Sequence, residues 1–323
     1  MANQTGLWKL RLSMAGTATV IIGVSTLGFA MFMSLLGTFN PVSLIALVAA
    51  FNIAQWLFAP YLINAIYGVR PLKEGENPDL HRIVEDLSQR SGIRTPKIML
   101  SSISIPNAFA YGSPLTGPRV AVTRGLLREL EPEQVEAVIG HEFGHLRHRD
   151  VQIMMFVSFL PSLFYMLARS MLFSGYYGGR DRRDSGGLAL VGSASMLIYF
   201  FLLMFTLSLS RLREYYADQH SASVVDDGAR KLSEALAKIS SSTWRIQKAS
   251  RQRMNLSGFK TLFIADPDRA GQDTSDLYQA RHGGPDEELV RNILRRRVTR
   301  FDRFMELFST HPNIVKRLRA LKS

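Results

Sequence analysis

The chain has no cysteine in its 323 residues, which excludes a disulfide framework and any thiolate metal or redox centre. Any metal it holds must fall to His, Asp or Glu. Residues 1–72 also lack Asp and Glu altogether, and long apolar runs dominate them, while the remainder is charged and basic, for a formal net charge of +12. Such a balance points to an anionic neighbour, and the apolar runs favour lipid headgroups over nucleic acid. A lipid bilayer is therefore the expected partner, and nucleic acid is not. No secretory signal with a small-residue cleavage site is evident, because the first apolar run is long enough to stay in a bilayer. No internal repeat is visible.

Two uncharged runs, at about 16–36 and 42–66, each suffice to span a hydrocarbon core about 30 Å thick. Only Gly37 to Asn40 separate them, so they read as a helical hairpin within an N-terminal membrane domain, 1–72. Lys9 and Arg11 on one flank, with Arg70 and Lys73 on the other, place both ends in the cytoplasm. Two more apolar runs, at about 151–168 and 188–210, flank a Gly- and Arg-rich loop from Ser174 to Gly187. They read as a second membrane hairpin, domain 151–210. Arg169, Arg180, Arg182 and Arg183 oppose the positive-inside tendency there, with only Asp181 and Asp184 to offset them. Either the flanking domains override that bias or these helices do not fully cross, and the sequence leaves both open.

Between and after the hairpins lie two charged segments, 73–150 and 211–323, with the pattern of an α+β, mainly helical unit carrying a small sheet. Asn77-Pro78 begins a helix with Leu80, Ile83, Val84 and Leu87 on one face, and Gly92 closes it. Strand-like stretches follow at Lys97–Leu100, Ala108–Tyr111 and Arg119–Thr123, punctuated by Pro106, Ser113-Pro114 and Gly117-Pro118. Glu131-Pro132 then starts a helix whose apolar side carries Val135, Val138, Ile139 and Leu146. After Ser210 a polar helical pattern runs to about Ser240. Residues 266–288 read as a mobile loop, and Leu289–Phe304 as a basic amphipathic helix with Ile293, Leu294, Val298 and Phe301 on its apolar side.

The chemistry concentrates in His141-Glu142-Phe143-Gly144-His145, in the second half of the helix begun at Pro132. Residues i and i+4 share a helix face, so the two imidazoles can grip one metal ion, with Glu142 in reach of a water at an open coordination position. A hydrolytic zinc site needs a third protein ligand. His148 is nearest but would crowd a site built from one helix, and it reads as a surface histidine. Glu214 is the better choice. Asp218 follows it one turn later, placed to hold a ligating imidazole from behind.

The H-E-x-x-H pentapeptide, Arg213-Glu214-Tyr215-Tyr216-Ala217-Asp218, Ser309-Thr310-His311-Pro312 and Pro106-Asn107-Ala108-Phe109-Ala110-Tyr111-Gly112 together resemble the M48 family of zinc metallopeptidases. Within that family they are similar to the HtpX type, a bacterial and archaeal membrane protease. The resemblance covers most of the chain. It implies a gluzincin-type (zincin) fold, one Zn2+ per chain, internal cleavage of peptide bonds, and a role in membrane-protein quality control and stress response. It implies His141, His145 and Glu214 as ligands and Glu142 as general base. It further implies that Asn107 and His311 help bind substrate backbone and stabilise the oxyanion.

The expected protein is thus a multi-pass zinc endopeptidase of the cytoplasmic membrane, its protease domain facing the cytoplasm. It would act on membrane proteins or unfolded polypeptides that add as a strand beside Ala108, Phe109 and Ala110. The alternative is a catalytically silent membrane scaffold that keeps a structural zinc. A transporter is disfavoured, because no ionisable residue lies deep in the apolar runs.

Overall fold

The structure is a computed structural model that describes residues 41–177, 185–249 and 286–322. The first expected membrane helix, the Gly37–Asn40 linker, Arg180 to Asp184 and most of the 266–288 loop lie outside these residues. In order the elements are α1 (Pro41–Tyr67), β1 (Val69–Pro71), α2 (Pro78–Ser91), β2 (Lys97–Ser101), β3 (Ala108–Ser113), β4 (Gly117–Thr123), α3 (Arg124–Glu129) and α4 (Pro132–Arg147). They continue with α5 (Asp150–Tyr177), α6 (Ser185–Val224), α7 (Gly228–Ala249), α8 (Asp286–Arg295), α9 (Arg300–Glu306) and α10 (Ile314–Lys322). The described residues are mainly helical with one small mixed sheet.

Two compact units are present. One consists of Leu57–Val151 with Arg211–Ser323, and the other includes Gln152–Ser210. In the first, the four strands lie in the order β1-β2-β4-β3, with β2 and β4 parallel and both outer pairs antiparallel. Alternation sends successive side chains to opposite faces of the sheet. Ile98, Leu100, Ala108, Val120 and Val122 join the main core with Val84 and Leu87 of α2, Val138, Ile139 and Phe143 of α4, Leu232 and Leu236 of α7, and Val315 and Leu318 of α10. Met99, Phe109, Tyr111 and Ala121 turn the other way and pack with Ile63 and Tyr67 from the end of α1. The rings of Tyr67 and Phe109 lie 5.3 Å apart and those of Phe109 and Tyr111 5.5 Å apart.

The second unit packs Val157 and Phe164 of α5 against Leu202 and Leu209 of α6. Among the described residues one helix is long and apolar enough to cross a membrane, Ala189–Val224, whose best window has a mean hydropathy of 2.1. Its uncharged part ends at Ser210.

Local signals set most of the helix ends. Asn77 caps α2 by accepting the Leu80 N–H at 3.1 Å, and Gly92 stops it in the left-handed region at φ 63°. Two elements were not expected, and three expectations need correction. β1 and α3 have no periodic pattern long enough to announce them. The helix expected from 211 to 240 is two: α6 runs through to Val224, and Asp227, at φ 54° before Gly228, breaks the chain direction. The 289–304 helix is also two, because Thr299 caps α9: its Oγ1 accepts from Asp302 N at 3.1 Å while Asp302 takes the Thr299 N–H at 2.8 Å. Asp286 to Glu288, expected in the loop, form the acidic first turn of α8.

Candidate active site

Helix α4 is held tightly against α6, and glycine is what permits it. A Cβ on Gly144 would meet the Ala217 Cα at 2.8 Å, and one on Gly140 would meet Val225 Cγ2 at 2.9 Å and Ser221 Oγ at 3.2 Å. Ser221 Oγ donates to the Ala137 carbonyl at 2.6 Å across the same seam. Small residues on both helices therefore let the backbones approach, so that the face bearing His141 and His145 meets the face bearing Glu214 and Asp218.

That approach assembles a cluster. His141, His145 and Glu214 each offer a ligand atom within 4.8 Å of the others. The two Nε2 atoms are 3.2 Å apart, and the Glu214 oxygens lie 3.7 Å from His141 Nε2 and 3.6 Å from His145 Nε2. Behind each imidazole stands a carboxylate: Asp218 Oδ1 is 2.9 Å from His141 Nδ1, and Asp150 Oδ2 is 2.7 Å from His145 Nδ1. Behind each carboxylate stands a buried arginine. Arg213 pairs with Asp150, and Arg317 holds Asp218 by Nε at 2.9 Å and by a second, short contact through Nη2. Arg317 Nη1 also reaches Glu214 Oε2 at 3.1 Å.

The sequence singled out Asp218 for this position and overlooked Asp150, Arg213 and Arg317. Asp150 has a local signal that was available, since it closely follows His145. Arg149 at φ 54° turns the chain between α4 and α5, and the Asp150 carboxylate meets the His145 ring. Arg317 has none, because it arrives from the C-terminal helix. His148 needs correction as well. It is half-buried, its ring packed edge-on to Tyr216 at 4.0 Å, and it takes no part in the cluster.

The electrostatics follow from burial and neighbours. Burial would raise Glu214, but the charges of His311 and Arg317 and the His141 ring hold it well below the usual carboxylate range. Asp218 is lowered likewise, with Arg317 outweighing burial. Burial would lower His145, yet the Asp150 hydrogen bond and charge, with Glu214 and Glu142, raise it to about 9. Burial pushes the Glu142 carboxyl up, against the pull of His145 and His141.

Glu142 Oε2 accepts the Ala110 N–H of β3 at 2.8 Å. β3 is an edge strand among the described residues. Asn107 and Thr123 form a hydrogen-bonded pair, the Thr123 N–H donating to the Asn107 carbonyl at 3.0 Å, and the register runs on from there. Phe109 and Tyr111 therefore bond inward to β4, while Ala108, Ala110 and Gly112 turn their backbone groups to the open edge. Asn107 is buried, its N–H donating to Thr123 Oγ1 at 2.9 Å. His311 is also buried, with Nδ1 3.1 Å from Glu214 Oε2 and Nε2 without a hydrogen-bond partner among the described residues.

The donor set fits a divalent cation. With each Nδ1–H given to its carboxylate, both Nε2 atoms present lone pairs to one another and to a carboxylate already deprotonated by its surroundings. Three Lewis bases so close repel unless a cation or a proton sits among them. Paired carboxylate–histidine supports are the usual backing of a metal site, and nitrogen–oxygen ligands without thiolate suit a borderline or hard ion.

The comparisons agree with this chemistry. The profile of Peptidase family M48 matches residues 74–323. A "Protease HtpX homolog" of Thermoplasma acidophilum is 39% identical over 84% of this chain and 81% of its own length. Another, from Aeropyrum pernix, is 36% identical over 96% of this chain and 94% of its own. The crystal structure of S. mikatae Ste24p shares the fold at a TM-score of 0.57 with 17% identity, over 99% of this chain and 67% of that one. With the family profile spanning the entire cluster from His141 to Arg317, the chain belongs to peptidase family M48 and is a metalloprotease.

Proposed function

We propose that this protein is an integral-membrane, zinc-dependent endopeptidase that cleaves misfolded or damaged membrane proteins at the cytoplasmic face. The observation that carries the proposal is the convergence of His141, His145 and Glu214 within 4.8 Å, with Glu142 beside them on the edge of β3. Bound there, a zinc ion supplies Lewis acidity, polarising a peptide carbonyl and acidifying water.

The remaining work belongs to the chain. Glu142 takes the proton of the attacking water and returns it to the leaving amine, a role suited to a carboxyl that burial has pushed upward. An extended substrate adds to the β3 edge through Ala108 and Ala110, with Asn107 and Phe109 shaping that strand. Its backbone takes over the Ala110 N–H and so releases Glu142 for proton transfer. Backbone pairing of this kind reads few side chains, which suits substrates of varied sequence. His311 Nε2, buried without a hydrogen-bond partner among the described residues, is the donor for the developing oxyanion. Asp218 and Asp150 fix the two imidazole tautomers.

Residence in a membrane is supported by the outward faces of the long helices. Phe156, Tyr165, Leu190, Leu197, Phe200 and Phe201 are all exposed, as are Phe58, Tyr61 and Leu62 on α1. Surfaces so apolar are at home in lipid rather than in water. We retain the layout of a membrane hairpin in 1–72 and another in 151–210, with 73–150 and 211–323 forming the protease domain.

The deciding experiment is metal analysis of purified protein together with digestion of an unfolded substrate. One zinc per chain, with chelator-sensitive and zinc-restored cleavage, is expected. Stoichiometric zinc with no cleavage of any unfolded protein would instead identify a silent scaffold.

A further inference from the structure

The short helix α9 is inside out. Its two acidic residues, Asp302 and Glu306, are buried, while Phe301 is 62% exposed, Phe304 56%, and Leu307 and Phe308 each 47%. The burial of the acids is well provided for. Asp302 accepts the Thr299 N–H at 2.8 Å, and Glu306 accepts the Asn313 N–H at 3.1 Å and pairs with Lys316. The aromatic side has no such provision. Among the described residues Phe304 and Phe308 stack on one another, 5.4 Å apart, and on no other ring. In water this arrangement is the reverse of what the hydrophobic effect selects. The amphipathic pattern groups Phe301 with Ile293, Leu294 and Val298 on one apolar side, and the Thr299 cap, which starts a separate helix, sets Phe301 apart from the buried Ile293.

Arginines frame the aromatics. Arg295, Arg297, Arg300 and Arg303 are all exposed within the same stretch. Exposed aromatics between exposed cations match a layer that is apolar beneath and anionic above, which is a lipid headgroup region. A second observation sets the height of the patch. Arg211 is the first charged residue after the uncharged part of α6. Its Nη1 donates to the carbonyls of Glu306 at 2.8 Å, Leu307 at 3.3 Å and Ser309 at 2.7 Å. An arginine directly after a spanning segment belongs at the lipid–water boundary. The turn that carries Leu307 and Phe308 is bonded to it and shares that level.

Taking the membrane reading above as given, we propose that Arg295 to Phe308 forms a membrane-docking surface. Phe301, Phe304, Leu307 and Phe308 insert among the headgroups, and the arginines engage lipid phosphates. The same chain leads through Ser309 directly to His311, so docking on the bilayer and the position of a site residue are coupled through one short segment.

The absence of cysteine makes the test direct. Single variants Phe308→Cys, Arg82→Cys and Leu197→Cys of the full chain would be labelled with a fluorophore. Each would be reconstituted in phosphatidylcholine vesicles containing phosphatidylglycerol. Spin-labelled lipid quenches what lies in the bilayer and iodide quenches what lies in water. Arg82 sits on α2 with its side chain 78% exposed and reports water. Leu197 lies in the apolar part of α6 and reports lipid. Position 308 is expected to be quenched by lipid and protected from iodide. Vesicles without phosphatidylglycerol, or joint Arg297→Gln, Arg300→Gln and Arg303→Gln changes, should weaken lipid quenching at 308 and leave it intact at 197. Quenching of 308 by iodide while 197 stays in lipid overturns the docking surface and spares the membrane reading. Protection of 308 from both quenchers overturns it too, since a protein segment or a second copy then covers the patch. Lipid quenching at 308 that ignores charge removes the anionic part of the proposal. Loss of lipid quenching at 197 sinks the membrane reading itself.

Discussion

At the scale of single residues, the site is a set of nested supports. Each histidine of the cluster leans on a carboxylate, and each carboxylate on a buried arginine. Glu142→Gln keeps the shape of the site but removes the carboxylate proposed as its base, so cleavage should fall about 10²- to 10⁴-fold while one metal per chain is retained, as metal analysis beside a turnover assay would show. Arg317→Met leaves His141, His145 and Glu214 in place yet strips Asp218 and Glu214 of their shared cation. Metal affinity should drop roughly 10- to 100-fold, measured by competition with a chromophoric chelator. Unchanged affinity would mean that Arg317 serves packing alone. The pH behaviour of the metal-free protein has two limbs. Asp218 and Glu214 sit below their ordinary values, so their contribution is complete above the unfolded carboxylate range near about 4 and is lost as pH falls below it. His145 is raised to about 9, so its contribution is complete below the unfolded value and is lost as pH climbs through about 9. Thermal melts of chelated protein should therefore peak between these limbs. A melt still rising at pH 9 would contradict the Asp150–His145 pairing.

Elements bring these residues together, and the contact of α4 with α6 is the joint that matters most. Gly144 lies inside the H-E-x-x-H pentapeptide, where the zinc motif as such asks nothing of it. Its packing does, because a Cβ there would meet the Ala217 backbone at 2.8 Å. Backbone cannot swing away as a side chain can. Gly144→Ala should cost about 1–3 kcal/mol of stability and loosen metal binding by parting the two helices. Parallel denaturation and metal-titration curves would check both effects. If stability and affinity both hold, the close approach is not needed. Helix ends with a chemical signal, such as the Asn77 cap and the Gly92 stop, were readable from the sequence. The break at Asp227 had a signal in the Asp227-Gly228 pair, which the polar helical pattern on either side outweighed, whereas the short α3 is too brief to show a period. The Thr299 cap was readable in principle, with Asp302 at the reciprocal position, but the amphipathic pattern running through it looked stronger.

For the whole molecule, the C-terminal segment belongs to the site as much as the motif helix does. Ser309 to Lys322 delivers His311 and Arg317 to Glu214, and Ile314, Val315 and Leu318 to the main core. A chain ending at Phe308 keeps His141, His145 and Glu214 but should lose stoichiometric metal, and plasma emission analysis of the purified protein would reveal it. Retention of one metal per chain would place the determinants of binding within α4 and α6 alone. Much of this protein was decided by local sequence. The spacing of His141 and His145 on one helix, the acid at Glu214 with Asp218 a turn later, and the uncharged runs are properties of neighbours along the chain, where helical period and hydropathy act directly. What only the folded chain decided is the support around them. Arg317 and Asp218, and Arg213 and Asp150, meet because distant helices pack, and no periodicity reports a contact between residues far apart in sequence. The outward turn of Phe301 belongs to the same class, since a cap at Thr299 and buried partners for Asp302 and Glu306 together set it apart from Ile293, with which the amphipathic pattern had grouped it.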